Sequence, residues 1–457
     1  MTERRGRGGA GLYAAMLALA AVALYFIRER GAGLVAVAEP ALGRHAADAG
    51  PSASYLLLHL LIALAAVVGL GYLLGRLCVV IGQPPVMGEI VAGIALGPSI
   101  LGAEWAARIV PSGVAPHLGL IAQVGVILYL FTVGLDMPVE TLKHRAGATV
   151  AISHASIVVP FVSGAALALW AYPRFASHDV GFTPFALFLG TAMSITAFPV
   201  LARILADSKL ARTPLGNLAL ACAAINDVTA WCLLAVVTGV ARARAGAGLM
   251  VVAGTVVYLV VLMAVVRRLL ATWLARRGGD EPARGTIALV FMGLLVSALA
   301  TEAIGIHALF GAFLFGAVIP HDSGVARTLG KALEPPVGVL LLPAFFASTG
   351  LRTRIDLLDG TGPWLACGLV IVVATLGKFG GTWAAARLAG LGGRTAAALG
   401  ALMNTRGLME LIVLNAGLEL GVITPTVFSM LVLMALATTF ATAPLLRMIR
   451  PDPAMAG

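Results

Sequence analysis

About fourteen apolar runs, closed by proline, glycine or basic residues, follow one another through this sequence, at 11–27, 53–80, 84–103, 117–136, 146–170, 183–205, 213–240, 247–267, 285–303, 305–320, 336–351, 362–389, 396–420 and 424–446. Hydrocarbon offers a backbone no hydrogen-bond partner, so a run that crosses it must satisfy its own peptide groups, and a helix does this alone. The expected fold is an all-α integral membrane protein of about 13–14 transmembrane helices. Composition points the same way, because 60% of residues are hydrophobic and only 11% are charged, against about 25% in a soluble domain. The formal charge of +10 does not indicate nucleic acid, since the basic residues fall between apolar runs, where they set topology. Cys78, Cys222, Cys232 and Cys367 lie inside apolar segments and read as packing residues. The sequence has neither a phosphate-loop spacing nor a His-Glu-x-x-His, so it does not read as an enzyme.

The chain divides into an N-terminal anchor helix or signal-like segment with its linker (1–52), a transmembrane domain (53–446) and a short cytoplasmic tail (447–457). A retained anchor is the preferred reading of the first helix. Basic residues favour one side of the alternating helices, which places both termini in the cytoplasm of a protein of the cell (inner) membrane. Within 53–446, six helices (repeat one, 53–240) and six more (repeat two, 285–446) are joined by the connector 247–267. An even count joined by one crossing gives halves of opposite orientation, hence two inverted six-helix repeats. Gly134-Leu135-Asp136 ends the third helix of one half and Gly350-Leu351-Arg352 the third of the other. Helix-breaking chemistry falls in the fifth helix of each: Met193-Ser-Ile-Thr-Ala-Phe-Pro-Val200, with Ser194, Thr196 and Pro199, and Met403-Asn-Thr-Arg-Gly-Leu-Met-Glu410. Proline removes a donor and glycine loosens the chain, so both are candidate broken helices whose freed peptide dipoles need partners.

One carboxylate, Asp227, sits with Asn226 before it deep in the apolar run 213–240. It lies roughly 20 Å along that helix, near the centre of a hydrocarbon core about 30 Å thick. An aspartate there costs about 2.5–3.5 kcal/mol on insertion scales, which marks a proton or ion site. A protease dyad would need a second acid sharing a proton with Asp227, and none is evident.

These motifs resemble a known family. Ser194-Ile-Thr-Ala-Phe-Pro-Val-Leu-Ala-Arg203, Ala224-Ile-Asn-Asp-Val-Thr-Ala-Trp231 and Met403-Asn-Thr-Arg-Gly-Leu-Met-Glu-Leu-Ile-Val-Leu-Asn415 are similar to the monovalent cation:proton antiporters, in the branch with Kef-type, Nap-type and plant cation/proton exchanger members. Pro85–Pro98 and Phe346–Arg352 match as well, and the likeness runs in order from about 55 to 446. It implies two inverted six-helix repeats, a dimerisation domain and hence a homodimer, a mobile core, and two broken helices, 183–205 and 396–420 here, crossing at mid-membrane. By motif, Asp227 matches the family's cation- and proton-binding aspartate, Asn226 the position before it, and Lys378, in Leu376-Gly-Lys-Phe-Gly380, the basic residue of the helix facing that site. The implied partners are membrane lipid, protons and a monovalent cation, with no organic cofactor and no metal beyond transported Na⁺ or K⁺ at Asp227. Potassium-efflux members commonly carry a nucleotide-binding domain after the membrane part; this sequence stops at Gly457, so nucleotide or glutathione gating is not expected.

A carboxylate suits exchange because a proton and a small cation compete for the same oxygens. Carbonyls freed around Thr196 and Asn404-Thr405 are candidates to complete the cation's shell. With Asn226 in place of a second acid, one exchangeable charge implies one cation for one proton, an electroneutral cycle by alternating access. The competing reading of Asp227 is a structural partner of Lys378, and Lys378 itself reads either as that counter-charge or as a group neutralising the acceptor end of a broken helix. Asn226 either orients the site or bonds a neighbouring helix. Arg406 and Glu410, four apart, read as a local pair, with a place on the ion path as the alternative. Glu89 and Asp136 read as structural or gate residues. The alternatives for the whole chain are a gated potassium-efflux channel-like protein and a non-transporting sensor subunit.

Overall fold

The computed structural model describes residues 3–31, 34, 53–135, 148–211, 213–242, 247–276 and 282–449, and every regular element among them is helical. Asp136, residues 35–52 of the linker and residues 450–457 of the tail lie outside the described residues. After α1 (Glu3–Gly31), the first half holds α2 (Ala53–Val80), α3 (Pro85–Leu96), the short α4 (Pro98–Leu101) and α5 (Ala103–Ile109), α6 (Ala115–Leu135), α7 (Ala148–Phe175), α8 (Phe182–Ser194), α9 (Phe198–Asp207) and α10 (Pro214–Arg242). A π turn joins α11 (Ala247–Val261) to α12 (Arg267–Arg276). The second half holds α13 (Arg284–Ile304), α14 (Ala308–Val318), α15 (Gly324–Pro336), α16 (Leu342–Arg352), α17 (Thr361–Leu388), α18 (Gly393–Met403), α19 (Leu408–Glu419) and α20 (Pro425–Ile449).

Among the described residues ten helical stretches are long and apolar enough to cross a membrane, eleven with the bent pair α18 and α19 counted as one. The expected runs 84–103 and 305–320 give the shorter apolar helices α3 and α14. Their ends explain the difference. The helix of α3 is stopped by Gly97-Pro98, because the residue before a proline is pushed out of the helical region. α13 ends on Gly305 in the left-handed region (φ 102), and α14 starts afresh at His307, whose ring accepts from the Leu309 N–H.

The helices sort into two groups. One packs α2, α3, α6, α13, α14, α15 and α16 together; the other packs α7, α8, α10, α17, α18, α19 and α20, with α1 lying on α7 and α8. The groups meet where α16 faces α19, and there Arg352 pairs with Glu419 (2.9 Å), while Asn415 donates to Thr349 (2.8 Å). Trp231 of α10 also stacks on Phe313 of α14.

Glycine sets two close crossings in the first group, those of α3 with α16 and of α6 with α14. A Cβ on Gly93 of α3 would stand 2.3 Å from the Ala347 carbonyl oxygen, and one on Gly350 of α16 would stand 2.4 Å from that of Ile90. At the second crossing, a Cβ on Gly134 of α6 would meet the Phe313 carbonyl oxygen at 2.2 Å, and one on Gly316 of α14 that of Phe131 at 2.3 Å. Only a residue without a side chain lets backbones approach this closely, and such contact is how helices associate where no hydrophobic drive separates them from lipid. In the second group α17 does similar work: Gly377 and Gly381 lie against Pro160 and Val159 of α7, which brings the buried Lys378 between helices. The opposite face of α17 exposes Leu365, Val372 and Leu376.

Candidate functional site

Two helices are interrupted at mid-span, each for a local reason. The ring of Pro199 excludes a helical carbonyl four residues earlier, at Ile195, so α8 ends at Ser194 and the chain runs extended through Ile195 and Ala197 before α9. In the second, α18 stops at Met403 and α19 restarts after Gly407, with a bend of 44° between them. Each interruption leaves carbonyls at one helix end and N–H groups at the next without intrahelical partners. Buried in hydrocarbon, these must be satisfied by other groups.

The breaks satisfy one another. The Thr196 hydroxyl donates to the Met403 carbonyl (2.8 Å), and the Ala197 N–H donates to the Thr405 carbonyl (3.0 Å). The carbonyl end of α8 receives two cations. Arg406 donates through Nη1 to Ala192 (2.8 Å) and through Nη2 to Met193 (2.7 Å), and Lys378 donates from α17 to the Ser194 carbonyl. Positive charge belongs at a helix C-terminus, where the macrodipole is negative. Glu410, in the first turn of α19, occupies the opposite end and lies 3.2 Å from Arg406. Lys378, Arg406 and Glu410 are all fully buried.

Asp227 lies on α10 beside the first break and is 4% exposed. The Phe198 N–H, at the start of α9, donates to its carboxylate, while Oδ1 has no hydrogen-bond partner. The ion pairs Arg352–Glu419, Arg354–Asp356 and Arg406–Glu410 do not include it. Lys378 is near enough to act on Asp227 electrostatically, yet its hydrogen bond goes to Ser194. Unpartnered buried oxygens also occur on Asn404 (Oδ1) and Thr405 (Oγ1). The Ser194 hydroxyl donates back to the Thr191 carbonyl (2.8 Å), and its backbone oxygen is the one that accepts from Lys378.

Asn226 faces another way. Its carboxamide oxygen accepts from Ser153 (2.8 Å) and Ser156 (3.4 Å) of α7, and its amide donates to Ser156 (3.0 Å) and to Thr196 (3.1 Å). A continuous chain therefore runs from α7 through Asn226 and Thr196 to the carbonyl end of α18. Asp227, Asn226, Lys378, Thr196, Ser194, Asn404, Thr405, Arg406 and Glu410 thus belong to this one junction or its immediate supports. Sequence reading missed Ser153 and Ser156. Both are hydroxyls, three apart on one helix face of an apolar run, a signal that was available. Glu89 stands apart on α3, beside Gly71 of α2.

Two helices interrupted at mid-span in an all-helical membrane fold are an arrangement around which secondary transporters build their sites. The family model described as sodium/hydrogen exchanger, transmembrane, matches residues 54–448, and the chain belongs to that family. It is 42% identical to the Na⁺/H⁺ antiporter NhaS4 of Synechocystis, over 87% of this chain and 98% of the relative. Identity is 42% with cation/H⁺ antiporter 20 of Arabidopsis thaliana and 33% with K⁺/H⁺ antiporter 1 of Saccharomyces cerevisiae. The chain spans about half the length of those two, 45% and 44%. In fold it is similar to the sodium proton antiporter MjNhaP1 from Methanocaldococcus jannaschii, with a TM-score of 0.61 at 14% identity over 85% of this chain and 99% of that one. Membership makes the protein a multi-pass cation/proton exchanger and not an enzyme.

Proposed function

We propose that this protein exchanges Na⁺ or K⁺ for H⁺ by alternating access, with Asp227 as the carboxylate that the two ions occupy in turn. The observation that carries this reading is the unpartnered Oδ1 of Asp227, buried beside the crossing of two broken helices. An unpaired carboxylate oxygen at membrane depth is costly, and either a proton or a bound cation relieves that cost. Asn404 Oδ1 and Thr405 Oγ1 supply further oxygens of the hard type that small cations take. Lys378 and Arg406 hold the carbonyl end of α8 in place, and Asn226 fixes Thr196. The energy comes from an ion gradient, so the cycle needs neither ATP nor an organic cofactor. The group around α7, α8, α10, α17, α18, α19 and α20 is the moving core, and the glycine-crossed group is the frame and dimerisation surface of a homodimer in the cell membrane.

The inverted repeat is supported by reciprocity. The second helix of each half, α3 or α14, crosses the third helix of the other half, α16 or α6, at a glycine pair, and the broken fifth helices meet break to break.

The test is a pH-gradient assay in everted vesicles. Addition of Na⁺ or K⁺ is expected to collapse a preformed gradient, read as dequenching of an acridine dye, and a cation series ranks the ions. No response to any monovalent cation overturns the reading. One acid with a neutral Asn226 before it also implies one cation per proton. A membrane potential acts on net moved charge at about 2.3 kcal/mol per charge per 100 mV, so it is expected to drive no cation uptake into proteoliposomes at equal pH. Uptake that follows the potential would overturn the one-to-one count and point to a proton carried by Lys378.

A further inference from the structure

The interrupted segment between α18 and α19 has a support that the site described above does not include. Thr439, fully buried on α20, accepts from the Arg406 N–H (2.9 Å) and donates to the Arg406 carbonyl (2.9 Å). One hydroxyl thus satisfies both peptide groups of one residue at the point where the helix is open. The ordinary behaviour of a buried helical threonine is to bond a carbonyl one turn back in its own helix. Thr438 and Thr442 do so, to Met434 (2.9 Å) and Thr438 (3.0 Å), whereas Thr439 reaches across to another element.

We propose that Thr439 is a positioning residue for exchange: its hydroxyl clips the Arg406 backbone and thereby sets where the second break stands against the first. Three contacts hang on that residue. The Arg406 side chain covers the Ala192 and Met193 carbonyls of α8. Its neighbour Thr405 receives the Ala197 N–H, next to the Phe198 that faces Asp227. Its Nη1 also meets Glu410. Without the clip, two buried peptide groups lose their partners, each at a cost that favours a shifted segment over the native one. The shift reaches Asp227 through Thr405, Ala197 and Phe198, so the affinity of the carboxylate for both competing ions changes. The inference rests on the reading of Asp227 and the crossing as the exchange site.

The experiment compares Thr439→Val, Thr439→Ser and Asp227→Asn in everted vesicles, at matched protein amount, reading the apparent KM for the cation and the pH profile. Thr439→Val keeps the volume and removes the hydroxyl; it is expected to raise KM roughly five- to tenfold and to displace the pH profile. Thr439→Ser restores the clip and is expected to behave as the unmodified protein. A valine variant with unchanged KM and profile overturns the proposal, as does one that loses only maximal rate. Equal damage by serine and valine overturns it too, because shape and not the hydroxyl is then what the position requires. If the valine protein does not accumulate, Thr439→Cys, which puts a weak thiol donor where the hydroxyl stood, takes its place; failure of both to accumulate counts against a role in exchange and for one in folding. Exchange that survives Asp227→Asn defeats the site reading instead, and so separates the two.

Discussion

Asparagine in place of Asp227 is expected to abolish cation-dependent collapse of a pH gradient, down to the level of vesicles lacking the protein, while the variant still accumulates in the membrane. The substitution is nearly isosteric and keeps an oxygen for the Phe198 N–H to donate to. What it removes is the charge and the titratable oxygen, and with them the competition between proton and cation. Stability should not suffer, because a charge in hydrocarbon is a cost that the folded protein no longer bears. The measurement is dequenching in everted vesicles together with the melting temperature of the detergent-purified protein. Exchange by Asp227→Asn at the unmodified rate would remove Asp227 from the mechanism. A loss of activity accompanied by collapse of the fold would leave the carboxylate as a strut.

Arg406→Leu has the opposite profile, with the fold as its main casualty. Arg406 is fully buried, caps two carbonyls of α8 and pairs with Glu410. Leucine leaves Glu410 buried without its cation, a change that costs about 3–5 kcal/mol when one partner of a buried pair is removed. The two uncovered carbonyls add about 1–3 kcal/mol each where nothing replaces the donor. Against a total stability of about 5–15 kcal/mol, this should sharply lower both yield and melting temperature. The double variant Arg406→Leu, Glu410→Leu should recover part of the loss, since no unpaired charge remains. Melting temperatures of the three purified proteins decide the matter; a single variant as stable as its parent would show that the guanidinium is dispensable.

The two interruptions were legible because proline and glycine announce themselves in any apolar run, and Asp227 because a carboxylate at that depth is too costly to be incidental. Helix length was less so. Run 84–103 is mostly apolar on both sides of Gly97-Pro98, with Glu89 the charged exception, and the dipeptide, visible as it is, arrests the helix as a local backbone effect without interrupting the hydrophobic pattern. Hydropathy alone passes over it. The direction in which Asn226 points was not legible either, since that depends on α7 presenting Ser153 and Ser156, some seventy positions away. Thr439 lay hidden for a related reason. Threonines in α20 look alike in sequence, and only the placement of the α18–α19 break distinguishes the one whose hydroxyl crosses from those that fold back. Gly134 and Gly350 stood out as a weak internal match, whereas the partners that make them meaningful, Gly316 and Gly93, emerged only from the packing.

The outward face of α17 has a mechanical consequence. Leu365, Val372 and Leu376 give the group proposed as the moving core an apolar belt of its own, separate from the belt that α2 presents through Leu58, Leu61 and Leu73 on the proposed frame. If the core travels along the membrane normal while the frame stays still, the two belts share a level in one state and are offset in the other. Lipid must then thicken or thin locally around one of them, at fractions of a kcal/mol per Å of offset. The acyl-chain length of the surrounding bilayer thereby becomes a ligand of the cycle, and reconstitution into thin and thick membranes should favour different ends of the stroke.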